Sequence, residues 1–219
     1  KTSEGRRRWA LRFDTPEKFQ SIVKDYYRLI TGIDREVGRI VECLKERGVH
    51  ENTVILFTSD NGFFLGERGM ADKWLLYEES IRVPMLICDP RERKPRNIDA
   101  MTLNIDLAPT IVDLAGAAVP KEMQGRSLVP WIQGKRVRGW REDFLYEHHT
   151  MAKIIPEIEG VRTERWKYVR WMNASPLSEE LYDLRKDPAE LRNLAGETGH
   201  GKQLAALRER WKELSETCK

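Results

Sequence analysis

Asp60 and Asn61 close the apolar run 53–59, and a lone lysine, Lys73, follows twelve residues after Asn61. A carboxylate and an amide carbonyl are oxygen donors of the kind a hard cation such as Ca²⁺ or Mg²⁺ takes. Gly62 lets the backbone turn directly after them. Two donors leave most of such a cation's shell unfilled, so other segments, water or an anionic substrate must supply the rest. Lys73 carries a compact positive charge on a flexible stem, suited to grasping an oxyanion. A cation beside a lysine makes a trap for sulfate or phosphate esters. Asp-Asn-Gly is equally a common strand-to-turn signal. The residues alone therefore point to a cation and anion site and no further.

The flanking pattern says what must position these groups. Residues 53–59 are short, β-branched and apolar, as suits a strand covered on both faces in a parallel sheet. Ligands of open α/β sheets sit beyond the carboxyl ends of strands, where Asp60 and Asn61 lie. Residues 82–88 (RVPMLIC) read as a second strand with Pro84 near its start. Residues 105–114 read as a helix, with Pro109 early and Gly116 as its stop. Upstream, residues 1–13 are basic and irregular, and Asp14-Thr15-Pro16-Glu17 opens a helix. Apolar residues from Phe19 to Leu44, spaced by three and four, then predict one long amphipathic helix, or two in series breaking at Gly32. Past about residue 140 the pattern becomes antiparallel: strands over 144–149, 160–171 with a turn at 163–165, and 181–184. A closing helix over 202–217 carries Leu204, Leu207, Trp211 and Leu214 on one stripe. The polar stretch QGKRVRG places the boundary near residue 138, giving an α/β part over 1–138 and a β subdomain with a packing helix over 139–219.

Bulk properties exclude several classes. Hydrophobic residues are 40% of the chain, enough to bury a core and to argue against disorder. The formal charge is +3, with Lys and Arg interspersed among Asp and Glu, which argues against a nucleic-acid binder. No run of about 18 apolar residues is present, so no membrane-spanning helix is expected. Cys43, Cys88 and Cys218 are too scattered for a disulfide framework or a zinc site.

Five segments, in order, carry a resemblance. NTVILFTSDNG, GERGMADKWLLYEESIRVPMLI, NIDLAPTIVDLAGAAVP, MQGRSLVP and ELYDLRKDPAELRNLA together resemble the C-terminal portion of a sulfatase of the alkaline phosphatase superfamily, over about residues 22–195. The resemblance implies part of an alkaline-phosphatase-like α/β sheet flanked by helices, followed by a small C-terminal antiparallel sheet with a closing helix. It implies that Asp60 and Asn61 are ligands of calcium (or magnesium), and that Lys73 is catalytic and binds a sulfate oxygen. Arg68 stands where many members carry a histidine, with its charge available to an anionic substrate. The C-terminal subdomain borders the family's active-site mouth, which makes His148 or His149, and Arg162, candidate substrate contacts. Adjacent strand residues point to opposite faces, so at most one of the two histidines serves. The implied substrate is a sulfated small molecule or glycan, and the implied location is periplasmic or secreted.

The family's nucleophile is a formylglycine made from a C/S-x-P-x-R motif upstream of the Asp-Asn pair. Cys88-Asp89-Pro90-Arg91-Glu92 is the one near miss, with its arginine a position early and on the wrong side of the lysine loop. Two further calcium-ligating aspartates, and the lysine and histidine that flank the sulfate, also lack counterparts. The chain is therefore expected to hydrolyse no sulfate ester by itself, and its expected partner is the missing N-terminal half of the same protein. Two other readings stand beside the sulfuric ester hydrolase. One is a phosphohydrolase of the same superfamily, against which the four histidines, none beside Asp60, argue. The other is a non-catalytic, partner-binding domain.

Overall fold

The computed structural model describes residues 3–92, 94–151 and 153–217. Its helices are α1 (Glu4–Arg12), α2 (Pro16–Glu46), α3 (Glu78–Ile81), α4 (Leu107–Leu114), α5 (Val129–Ile132) and α6 (Gly201–Thr217). Its strands are β1 (Ile55–Thr58), β2 (Phe64–Leu65), β3 (Ala71–Asp72), β4 (Met85–Cys88), β5 (Asp143–His148), β6 (Ile158–Thr163), β7 (Trp166–Trp171) and β8 (Ser178–Asp183). They form two compact units that interleave along the chain. One comprises Lys1–Lys24, Asn61–Arg82 and Arg141–Lys219, and the other Asp25–Asp60 and Val83–Trp140.

In the second of these units β1 pairs with β4 in register Ile55 with Cys88 and Thr58 with Met85. The pairing is antiparallel, which corrects the parallel reading of these two runs. Residues 53–59 reveal burial by their composition but say nothing of strand direction. A parallel return needs a long crossover, usually a helix, and the intervening segment holds the short hairpin of β2 and β3 and, as its only α-helix, the single turn α3. Burial is also less complete than a doubly covered strand implies, since Leu86 is 60% exposed. Asp106, fully buried, ties this unit's loops together. It accepts from the Leu103 N–H and the Arg126 N–H, each at 2.8 Å.

α2 is one unbroken helix of 31 residues. Gly32 does not end it, because a mid-helix glycine costs only about 1 kcal/mol and need not break the ladder. Its apolar residues Leu29, Ile30, Ile33 and Ile40 are exposed. Residues 4–12, read as irregular, form α1. The Ser3 side chain caps its first turn, and Glu4 pairs with Arg7 and Arg8 at 2.6 and 2.7 Å.

In the other unit, β5 to β8 form an antiparallel sheet in chain order. Alternation splits its side chains cleanly. Val161, Tyr168 and Leu181 meet Leu204 and Leu207 of α6 on one face, with Trp211 and Leu214 packed alongside. On the opposite face Ile158 and Val169 enclose Leu76, while Tyr182 packs with Phe64 and Tyr77. Gly160 permits that approach: a Cβ there would lie 2.5 Å from Leu76 Cδ2 and 2.2 Å from the Tyr168 carbonyl oxygen.

Glu179 links β8 to α6 by accepting from Arg208 Nε at 2.9 Å, and it also accepts from the Tyr168 hydroxyl at 2.6 Å. The Arg208 hydrogen bond, reinforced by Tyr168, holds the Glu179 carboxyl below the ordinary glutamate range. Its stabilising contribution is then present above a pH of about 4.3 and is lost as pH falls through the lowered value. Glu179→Gln is expected to flatten the acid limb of stability below that pH. Urea midpoints measured from pH 3 to 7 check this, and parallel curves for the two proteins would contradict it.

Candidate functional site

The eleven residues between Asn61 and Lys73 are spanned by a hairpin. β2 and β3 pair Phe64 with Asp72 and Leu65 with Ala71, which returns the chain so that Lys73 faces Asn61. Lys73 Nζ donates to Asn61 Oδ1 at 2.6 Å. Asn61 Nδ2 donates to the Gly62 carbonyl at 2.8 Å, which orients the amide with its oxygen toward the lysine. Gly62 is needed by space. Its N–H donates to the Ser80 carbonyl at 2.8 Å, and a Cβ would sit 2.1 Å from the Glu79 carbonyl oxygen.

Lys73 stands between two non-glycine residues in left-handed backbone, Asp72 at φ 76° and Trp74 at φ 87°. Such residues cost on the order of 1–3 kcal/mol each and persist where the surroundings hold them. Here Arg8 and Arg12 of α1 both reach Asp72 Oδ2 at 2.8 Å. The Tyr146 hydroxyl donates to the Trp74 carbonyl at 2.9 Å, and the Arg8 guanidinium lies 4.9 Å from the Trp74 ring. Lys73, Trp74, Met70, Ile155 and Trp171 line a cleft of about 80 Å³.

Behind this loop lies a buried ionic cluster. Lys167 Nζ is 2.6 Å from Glu190 Oε1 and 2.9 Å from Glu78 Oε1. Glu190 Oε2 accepts from the Glu78 N–H at 2.8 Å, which caps the first turn of α3. Burial pushes the Glu190 carboxyl above the ordinary range against the pull of Lys167. Burial acts the same way on Glu78, but Lys167 and Arg162 together hold its carboxyl low. Lys167 and Glu190 have no exposed surface.

The remaining predicted residues are distributed around this core. Arg68, itself at φ 57°, donates to the Glu190 and Ala189 carbonyls at 2.7 and 2.5 Å, and its guanidinium lies 4.0 Å from the Tyr77 ring centre. Arg162 reaches Glu78 at 3.3 Å. His148 shares the sheet face of Tyr146, the face that takes the lysine loop. Burial lowers its imidazole pKa. His149 points to the α6 face and lies 3.1 Å from Glu159. Asp60 is exposed at the end of the other unit, where Asn104 Nδ2 donates to the Ser59 and Asp60 carbonyls, each at 3.1 Å. Sequence reasoning missed the parts played by Arg8, Arg12, Asp72, Glu78, Lys167 and Glu190. The YEES segment that holds Glu78 was the one legible signal among them.

Comparison with known proteins identifies the family and the fold. The family model described as N-sulphoglucosamine sulphohydrolase, C-terminal, matches residues 66–217, and the one described as Sulfatase matches residues 5–117. The N-acetylglucosamine-6-O-sulfatase of Bacteroides thetaiotaomicron is 34% identical over 208 residues, covering 92% of this chain and 37% of that protein. A solved structure of a protein in complex with its substrate, D-glucosamine-2-N,6-O-disulfate, superposes with a TM-score of 0.84 at 34% identity, over 91% of this chain and 41% of the other. The phosphonate monoester hydrolase of Agrobacterium radiobacter gives a TM-score of 0.81 at 30% identity, over 93% and 43%. The chain thus spans less than half the length of these relatives. Its mixed α/β architecture with a small antiparallel sheet and a closing helix is theirs over that span. With two family models each covering more than half of its residues, the chain belongs to the sulfatase family.

Proposed function

We propose that the complete protein carrying this chain hydrolyses sulfate esters of carbohydrates, with Lys73 holding an oxygen of the bound sulfate. The observation that carries this reading is the 2.6 Å hydrogen bond from Lys73 to Asn61, made by a lysine fixed between two left-handed residues. An ammonium has three protons, and one on Asn61 leaves two for an oxyanion. Fixed positive charge of this kind stabilises charge that develops on ester oxygens as a bond breaks. His148 is the proposed substrate-facing histidine, supported by its lying on the sheet face that takes the lysine loop.

Asp60 and Asn61 are the proposed calcium ligands of this chain. The donor chemistry fits, since both side chains present hard oxygens, and Asn61 Oδ1, which accepts from Lys73, has a second lone pair for the ion. When bound, the cation supplies charge neutralisation at the sulfate oxygens. The nucleophile, a formylglycine, is proposed to lie in a segment outside this chain. That segment is also the proposed cover for the exposed apolar residues of α2. The likeness to the glucosamine sulfatase and to the protein bound to its disulfated glucosamine substrate supports a sulfated amino sugar as substrate. A phosphonate or phosphate ester hydrolase is the second reading, favoured by the likeness to phosphonate monoester hydrolase.

The complete protein should release sulfate from a 6-O-sulfated glucosamine. Release from an aryl phosphonate alone would transfer the assignment to the second reading, and release from neither would end both. By calorimetry, Asp60→Ala is expected to weaken Ca²⁺ binding at least about tenfold through the lost ligand charge. An unchanged affinity would remove Asp60 from the metal site.

A further inference from the structure

The sheet face that carries α6 brings together three side chains with no part in the lysine site. Glu147 lies near the end of β5 and His149 directly after it, and the contact of His149 with Glu159 puts both side chains on that face. Glu159, on β6, is the direct cross-strand partner of Glu147. One ligand atom from each of the three lies within 4.8 Å of the others, and His149 Nε2 is 3.1 Å from Glu159 Oε1. Two zinc–ligand bonds of about 2.0–2.1 Å at a tetrahedral angle put their ligand atoms about 3.3 Å apart. The imidazole and carboxylate are already at nearly that spacing.

Glu159 is held for such a role from behind. It is only 8% exposed, and Trp211 Nε1–H donates to its Oε2 at 2.7 Å, which leaves Oε1 toward His149. Outer hydrogen bonds of this kind are what orient metal ligands. Arg170, opposite Glu159 on β7, has its guanidinium 4.8 Å from the Trp211 ring centre and 3.9 Å from Glu179. Two carboxylates and a neutral imidazole together carry the charge that a dication balances. The imidazole favours a first-row ion such as zinc over calcium, which prefers an all-oxygen shell.

We propose that Glu147, His149 and Glu159 bind a divalent ion of the zinc class, with solvent completing the shell. The ion ties the end of the edge strand β5 to β6. It thereby steadies the strand end from which His148 projects to the opposite face.

Calorimetric titration of Zn²⁺ into this chain tests the proposal, with circular dichroism to show that each variant stays folded. The expected result is saturable one-to-one binding that weakens about tenfold or more in His149→Ala and in Glu147→Gln separately. Asp60→Ala should leave it unchanged, so failure here is distinguishable from failure of the calcium assignment. Equal zinc affinity in the wild type and folded His149→Ala overturns the proposal. So does the absence of saturable binding, which would make the His149–Glu159 contact a hydrogen bond and nothing more.

Discussion

Replacing Glu190 with alanine is expected to remove about 3–5 kcal/mol of stability, the cost of leaving one member of a buried ion pair without its partner. Lys167 would keep only Glu78, and it has no exposed surface through which to reach water. Against a total of about 5–15 kcal/mol for a typical domain, this is a large share. Urea unfolding of Glu190→Ala should show a strongly lowered midpoint. The double replacement Lys167→Met with Glu190→Leu should lose less than either single change, because the two fully buried charges leave together and Glu78 keeps Arg162 as its partner. A Glu190→Ala protein within about 1 kcal/mol of wild type would show that water reaches Lys167 and that the cluster is not a dry one.

The second large effect concerns turnover in the complete protein. Lys73→Ala is expected to lower kcat for sulfate release by about 10²–10³-fold, the range seen when one fixed donor to a developing anion is removed. Lys73→Arg should recover only part of this, since a planar fork does not replace a compact ammonium. Stability should change little, because Lys73 is only half-buried and its partner Asn61 remains near solvent. Steady-state kinetics on a sulfated glucosamine, with KM measured alongside, read the effect. An unchanged kcat in Lys73→Ala would remove the lysine from the chemistry.

Local signals made much of this fold legible. The three-and-four spacing from Phe19 to Leu44 gave α2, and alternation with a turn at 163–165 gave the hairpin of β6 and β7. The separation of Asn61 from Lys73 was visible, but the hairpin that closes it was not, because β2 and β3 are two residues each. α1 escaped notice because Arg6-Arg7-Arg8 looks like a solvated basic run. Its anchor, Asp72, lies some sixty residues away, and no local pattern encodes that contact. The direction of β1 against β4 was hidden for the same reason: apolar character reports burial and not partners. Lys167 and Glu190 were the least readable, since charged residues normally mark a surface. Only the sheet register and the left-handed turn at Glu190 bring these two together in the interior.

The interleaving of the two units carries a consequence for anyone shortening or grafting this protein. Phe64, Leu76 and Tyr77 fill the same sheet face as Ile158, Val169 and Tyr182. Residues 61–82 therefore travel with 141–217, whatever is trimmed between them. A cut that looks natural on the linear map, near residue 138, would leave the lysine loop on one polypeptide and the sheet that seats it on another.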